Sequence, residues 1–507
     1  MTAFLDLPDL ACETVGGAAL ACNDEFFAEK ENLLREAPAI WKDHAYTDRG
    51  KWMDGWETRR RRPAGDPFGP VTGHDWCIVR LGMPGVIRGV VVDTAFFRGN
   101  FPESSMIHAT EIDAPLDLRA LDTATWTQIL PRTALAGDHH NAFAIDYRKR
   151  FTHVKLEIFP DGGVARLRVH GEALPDWPAI LRGNDQVDLV AVEHGGRALA
   201  SSNEFYSSPD NLLAPGRGAR MDDGWETRRR RGPGFDWAVL RLGVAGTVRR
   251  IEIDTAHFKG NYPDRGALEV CDARGVESSD LAALPWREIL PETKLGPDQV
   301  HVLTPAVEIG PATHARLVIH PDGGVSRLRL FGTPEPEALR AAAVARLDAL
   351  TPRAAEAALL DCCGSPEWVR RMRERRPFAS AAELHATADL VWDDLDREQW
   401  LLAFRAHPEI GGTASTQGER GTAWSVAEQA GVDPEATATR TALAEANRAY
   451  RERFGHVFLV CATGKSGDEM LALCRERLAN DPERELLVAA EEERKILHLR
   501  LDKLLAS

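Results

Sequence analysis

Two groups of residues carry enough polar chemistry, closely enough spaced, to do more than support a fold. The first is the nine-residue run Asp54-Gly-Trp-Glu-Thr-Arg-Arg-Arg-Arg62, repeated letter for letter from Asp223 to Arg231. Guanidinium groups grip carboxylates with two parallel hydrogen bonds, and Asp, Glu and Asn oxygens accept from N–H groups. In a strand, Glu57, Arg59 and Arg61 face one side, and Trp56, Thr58, Arg60 and Arg62 the other, so a single set can line a pocket. An equally weighted reading pairs these arginines with Asp75, Asp93 or their counterparts to hold the fold together. The second group is His407-Pro-Glu-Ile-Gly-Gly412, with Ser425-Val-Ala-Glu-Gln429 further on. Pro408 must end or kink the helix before it, which leaves His407 at a helix terminus, where its ring can face a pocket. Ser425, Glu428 and Gln429 then offer an acceptor, an anion and an amide to a polar planar ligand. Taken alone, these motifs also read as a helix stop and a capping box.

The elements that must position these residues come in two kinds. The first two thirds of the chain is one unit used twice. Asp93-Thr-Ala-Phe-Phe-Arg-Gly-Asn100 matches Asp254-Thr-Ala-His-Phe-Lys-Gly-Asn261, so His257 stands where the first copy has Phe96. Pro160-Asp-Gly-Gly-Val-Ala-Arg-Leu-Arg168 matches Pro321-Asp-Gly-Gly-Val-Ser-Arg-Leu-Arg329. Ile251 and Ile253 alternate with Glu252 and Asp254, the period of a half-buried strand, and Asp-Gly-Gly is turn chemistry. Many short strands with turn signals predict a β-sandwich for each copy. After a linker at Gly332-Thr-Pro-Glu-Pro336 the sequence turns rich in Ala, Leu, Glu and Arg, with apolar residues at helical spacing. The expectation is two tandem all-β, jelly-roll-like (galactose-binding-like) sandwiches, 1–175 and 176–335, followed by an all-α domain, 340–507.

Composition narrows the functions. With 507 residues, 44% hydrophobic and 27% charged, the chain has the balance of a multidomain globular protein. A net charge of −15 argues against general binding to nucleic acid or an anionic membrane. No run of apolar residues is long enough to span a bilayer, and MTAFLDLPDL lacks the basic start and apolar core of a signal peptide. Eight cysteines without regular spacing predict reduced thiols in a cytoplasmic protein, with Cys362 and Cys363 as core and surface positions on a helix. His139-His140 reads as a solvated loop.

The ordered set Pro377-Phe-Ala-Ser380, Arg405-Ala-His-Pro-Glu409, Ser425-x-x-Glu-Gln429 and Asn447-x-x-Tyr-x-x-x-Phe-Gly455 resembles the 2-oxo-4-hydroxy-4-carboxy-5-ureidoimidazoline (OHCU) decarboxylase family, over about residues 340–507. The resemblance implies cofactor-free decarboxylation to (S)-allantoin, with His407 as the catalytic histidine. It implies substrate contacts from Pro408, from Ser425, Val426, Ala427, Glu428 and Gln429, and from the backbone of Phe458, Leu459, Val460, Cys461 and Ala462. Gly411-Gly412 departs from the Ala-x-Lys of many members.

The doubled blocks resemble allantoicase, over about residues 10–335, which implies hydrolysis of allantoate to ureidoglycolate and urea. Allantoate is a carboxylate with two ureido arms, which suits Arg as carboxylate partner and Asp, Glu and Asn as acceptors of ureido N–H. The candidates are Glu57, Arg59, Arg61, Asp93 and Asn100 in the first copy. In the second they are Glu226, Arg228, Arg230, Asp254, His257 and Asn261, where the histidine makes that copy chemically richer. The family leaves room for a divalent metal such as manganese, although no ligand spacing marks a site. A carbohydrate-binding role for the sandwiches is the alternative, but the charged block stands where sugar sites present aromatic platforms. Small-molecule substrates, no nucleic acid, no membrane, and an open question of homo-oligomerisation complete the expectation.

Overall fold

The computed structural model describes residues 3–63, 71–112, 118–274, 281, 284–409, 423–424, 428 and 437–506. It divides into two compact units, Met1–Leu339 and Arg340–Ser507.

In the first unit each sequence repeat builds its own sheet. The first runs in the order Ala18–Cys22, Asp75–Asp93, Arg150–Phe159, Ser104–Thr110 and Thr127–Ala134. The strands Arg166–Ala173 and His140–Ala144 also pair with Asp75–Asp93. That long strand serves both layers. Its first part pairs with Ala18–Cys22 and Arg150–Phe159, its second with Arg166–Ala173 and His140–Ala144, and the register breaks between Arg80 and Gly85. A bend of this kind lets one strand pass from sheet to sheet. The second repeat does the same with Asp236–Asp254.

Alternation builds the core. Ile251 and Ile253 are fully buried, whereas Glu252 between them is half-exposed. The repeated motif contributes its tryptophan: Trp56 and Trp225 are both 0% exposed. Burying a side chain of this size contributes on the order of 4–6 kcal/mol of transfer free energy. The Asp-Gly-Gly turns take positive φ at Gly162 (139°) and Gly323 (134°), backbone that a side chain would strain. Each turn leads into a two-residue strand, Gly163–Val164 or Gly324–Val325, that pairs with Trp56–Glu57 or Trp225–Glu226.

That pairing is as far as the motif runs as a strand. From Thr58 the chain is irregular, so the two-faced alternation expected through Arg62 does not form. The expected linker differs too: Arg327–Pro334 is a strand and the first long helix begins at Pro336, directly after Glu335.

The second unit is helical. Its described helices include Pro352–Leu360, Pro366–Glu374, Ala381–Asp393, Arg397–Arg405, Thr437–Phe454, Gly467–Arg477 and Pro482–Leu505. Thr351, Ser365, Ser380, Asp396, Ser466 and Asp481 each accept a hydrogen bond from a first-turn amide, at about 1 kcal/mol apiece. Leu359, Trp368, Met372, Leu384, Phe404 and Leu497 fill the core. Cys362 and Cys363 are both fully buried in it, not split between core and surface. The helix Pro482–Leu505 buries Glu485, Glu493 and Arg500 completely. Among the described residues no helix is long and apolar enough to cross a membrane, and none of the eight cysteines forms a disulfide.

Candidate active sites

In the first repeat a cleft of about 280 Å³ is lined by Phe27, Trp41, Lys51, Met53, Glu57, Phe96, Arg98, Gly99 and Asn100. Its floor is the repeated motif. Glu57 is fixed by backbone bonds to Ala28 on one side and by pairing with Gly163 on the other. Its Oε1 accepts from Asn100 Nδ2 at 2.7 Å. Burial pushes the Glu57 carboxyl above the ordinary carboxylate range, against the opposing pull of Asn100 and Arg60. One wall is Phe96, held at φ 68° by a hydrogen bond from its amide to Asp138 Oδ1 at 2.7 Å. Non-glycine residues reach such backbone when the surroundings over-determine it, and they cluster at functional sites. The other wall is Trp41, 5.9 Å from the Phe96 ring, with Lys51 Nζ 3.7 Å from the Trp41 centroid.

The arginines of the motif do something else. Arg61 donates through Nε and Nη2 to Asp75 Oδ1, at 2.9 and 2.6 Å, and Asp75 is 2% exposed. Arg59 Nε donates to Asp24 at 2.6 Å, and Arg60 bridges Asp161 and the Gly99 carbonyl. Asp93 caps its own turn by accepting from the Ala95 amide. Of the first-copy candidates, Glu57 and Asn100 reach the cleft. Arg59, Arg61 and Asp93 brace the loops around it.

The second copy keeps the scaffold. Asn261 Nδ2 donates to Glu226 Oε1 at 2.6 Å, Arg230 Nη2 to Asp236 at 2.5 Å, and the His257 amide to Asp298 at 2.8 Å. Arg228 stacks on Phe205, and Asp254 pairs with Arg217. The surroundings differ. His257 Nε2 lies 2.9 Å from the Gly218 carbonyl, and Met221 Sδ lies 3.4 Å from Asn261 Nδ2. His257 thus ties down a neighbouring loop instead of enriching a cleft. The reason is chain length: Asn32 and Asp54 lie 22 positions apart, Asn211 and Asp223 only 12. The longer segment of the first copy forms the hairpin of Tyr46–Thr47 and Gly50–Lys51 and supplies part of the cleft wall.

The cleft presents one carboxylate, Glu57, beside two cations, Lys51 and Arg98. Among the described residues no group of three His, Cys, Asp or Glu side chains is arranged to hold a metal ion. This donor set does not fit a divalent cation.

In the helical unit a pocket is lined by His407, Pro408, Glu428, Phe458, Leu459, Val460, Cys461, Ala462, Thr463, Ile496 and Leu499. The structure thus brings together His407, Pro408, Glu428 and the whole Phe458–Ala462 segment. Ser425, Val426, Ala427, Gln429 and Gly411-Gly412 lie outside the described residues. His407 follows the last turn of Arg397–Arg405 and is 8% exposed, with Nε2 2.9 Å from Glu493 Oε1. Burial would raise the Glu428 carboxyl, but Arg500 at 3.1 Å and Lys503 at 2.8 Å hold it below the usual range. The lining backbone is pinned as well. Arg477 Nη1 donates to the Leu459 carbonyl at 2.6 Å, and the Cys461 amide donates to Glu492 at 2.8 Å. Arg477 is itself held by buried Glu485, which also accepts from Tyr450 and Asn480.

Tandem sandwiches with a charged, ring-walled cleft and a helical unit whose buried histidine lines a pocket define an enzyme with two separate candidate sites. The family model of the allantoicase repeat matches residues 8–174 and 187–335, and that of OHCU decarboxylase residues 348–502. The chain belongs to the allantoicase family and carries an OHCU decarboxylase domain, which makes it a bifunctional enzyme of purine catabolism. A probable allantoicase of Burkholderia pseudomallei is 48% identical over 64% of this chain and 94% of its own length. The crystal structure of allantoicase from Saccharomyces cerevisiae is 35% identical, covers 64% of this chain and 92% of its own, and superposes with a TM-score of 0.53. These matches support catalysis over the carbohydrate-binding alternative.

Proposed function

We propose that the helical domain decarboxylates OHCU to (S)-allantoin with His407 as acid/base, and that the β-repeats hydrolyse allantoate to (S)-ureidoglycolate and urea. The observation that carries the first assignment is the buried His407–Glu493 pair at the wall of the pocket. A carboxylate only accepts, so Glu493 selects the tautomer with the proton on Nε2 and leaves Nδ1 to exchange a proton with the ligand. Loss of carbon dioxide leaves an electron pair on a ring carbon that adjacent carbonyl and imine groups delocalise. The protein adds orientation and a proton delivered to one face. Glu428 and Gln429 hold the ureido and ring amide groups, Ser425, Val426 and Ala427 border them, and Phe458–Ala462 offer backbone partners. No cofactor takes part.

For allantoate, the Glu–Asn pair at the floor of the motif accepts ureido N–H groups, and a nearby cation takes the carboxylate. The product of one domain is a closed-ring allantoin and the substrate of the other is its ring-opened acid. A separate ring-opening hydrolase must therefore act between them, and fusion secures joint expression instead of direct transfer. We propose a cytoplasmic setting for both reactions. The test is urea release from allantoate by the full chain, with and without chelator and added manganese, beside decarboxylation followed by circular dichroism of the product. Failure to release urea under any of these conditions removes the hydrolase assignment. Racemic or absent allantoin removes the other.

A further inference from the structure

The two copies of the motif are not equivalent sites. Given the allantoate reading on which this rests, we propose that substrate binds and reacts in the first-repeat cleft alone, and that the second copy is a scaffold.

Beyond the shared Glu57–Asn100 pair, the first-copy cleft is walled by a segment that the second copy shortens. Trp41, Lys51 and Met53 come from the segment between Asn32 and Asp54, which is ten residues longer than its counterpart between Asn211 and Asp223. Lys51 is an exposed ammonium on the rim, held over the Trp41 face at 3.7 Å. It meets the substrate carboxylate, with Arg98 on the opposite lip. Trp41 and Phe96 lie in contact, their ring centroids 5.9 Å apart and inclined at 35°, and together present an aromatic face on which a flat ureido arm can lie. Glu57 lies at the bottom with Asn100 on one oxygen. A volume of about 280 Å³ suits a ligand of allantoate's size.

In the second copy the segment between Asn211 and Asp223 has no tryptophan, and the cation three residues before the motif, Arg220, is paired with Asp222. The shorter loop lies against the motif instead. A side chain at Gly218 would sit 2.3 Å from Ser326 Oγ and 2.7 Å from Asp223 Oδ1. His257 binds that loop through the Gly218 carbonyl, and Met221 covers Asn261. The Glu226–Asn261 bond persists because it ties the strand Trp225–Glu226 to the loop after Asp254, as its twin does in the first copy.

The reaction balances with one water. The bond between the central carbon and one ureido nitrogen breaks, and water oxygen bonds to that carbon. The remaining water proton ends on the departing urea nitrogen. Glu57 carries it, and a carboxyl held above its ordinary range by burial is suited to give as well as take a proton.

The experiment compares full-length Glu57→Gln, Lys51→Met and Glu226→Gln by urea release, with melting curves to establish folding. Expected are at least a hundredfold lower kcat for Glu57→Gln, at least a tenfold higher KM for Lys51→Met, and Glu226→Gln within about twofold of the parent. Lys51 is on an exposed hairpin, so its variant reports binding without unfolding the sandwich. In Glu57→Gln, allantoate should still quench Trp41 fluorescence, a signal absent from a Trp41→Phe background. Loss of urea release in folded Glu226→Gln, or full activity in both first-copy variants, overturns the assignment. A parent protein that releases no urea overturns the reading beneath it instead.

Discussion

Glu493 and His407 come from elements 86 residues apart and meet at 2.9 Å, the carboxylate fully buried and the imidazole 8% exposed. A buried charge of this kind is tolerated because it has a partner, and removing the partner typically costs about 3–5 kcal/mol. His407→Ala should therefore lose both activity and stability. His407→Asn retains a donor for Glu493, so it should keep its melting temperature while losing stereospecific decarboxylation. Full activity in His407→Asn, measured by circular dichroism of the product, would sink the acid/base role.

Glu493→Gln tests positioning by charge. The amide keeps the contact but no longer fixes the imidazole tautomer. A fall in kcat of about ten- to a hundredfold with KM little changed is expected, together with a displaced pH–rate profile. An unchanged profile would reduce Glu493 to a packing residue.

Arg477→Met should separate the two activities. It strands buried Glu485 and releases the Leu459 carbonyl, so decarboxylation should fall and the helical unit lose about 3 kcal/mol or more in denaturant unfolding. Urea release should be unaffected, because the sandwiches are a different compact unit.

Arg61→Met and Arg230→Met test the bracing role of the motif arginines. Each leaves a nearly buried aspartate, Asp75 or Asp236, without its two-pronged or single cation partner. Destabilisation of about 1–3 kcal/mol is expected in both copies, with urea release per folded molecule retained. Selective loss of activity in folded Arg61→Met would return that residue to the site.

Acid should weaken the helical unit through Glu428. Its carboxyl is held below the ordinary value of 4.5 in the folded state. The ion pairs with Arg500 and Lys503 therefore contribute fully above that value, and their contribution disappears as pH falls through the lowered one. Melting temperature plotted against pH should drop on its acid limb, and Glu428→Gln should flatten that limb.

Much of the fold was legible because strand alternation, turn glycines and helix caps are local signals. His407-Pro408 is a local motif that the sequence displays, whereas Phe458–Ala462 entered only through the resemblance to the decarboxylase family. Glu493, Arg477 and Arg500 were missed because a buried charge on an amphipathic helix reads the same as a solvated one. In the sandwiches, repetition left two readings of the charged motif open. It drew attention to Arg59, Arg61 and Asp93, which both copies keep because both must fold. Trp41 lies in a segment that the second copy shortens by ten residues, so repetition does not mark it. The unequal spacing from Asn32 to Asp54 and from Asn211 to Asp223 was the available signal.

The strand Asp75–Asp93 passes through both layers of its sandwich, so neither layer can slide or peel away from the other without rupturing a shared spine. Amide protons along it should exchange together, in one cooperative opening, and not layer by layer. The cleft therefore stands on a base with no internal hinge. The hairpin Tyr46–Lys51 pairs with no strand of that spine and is tied to the repeat through Arg49, which donates to the Phe26 carbonyl at 2.9 Å.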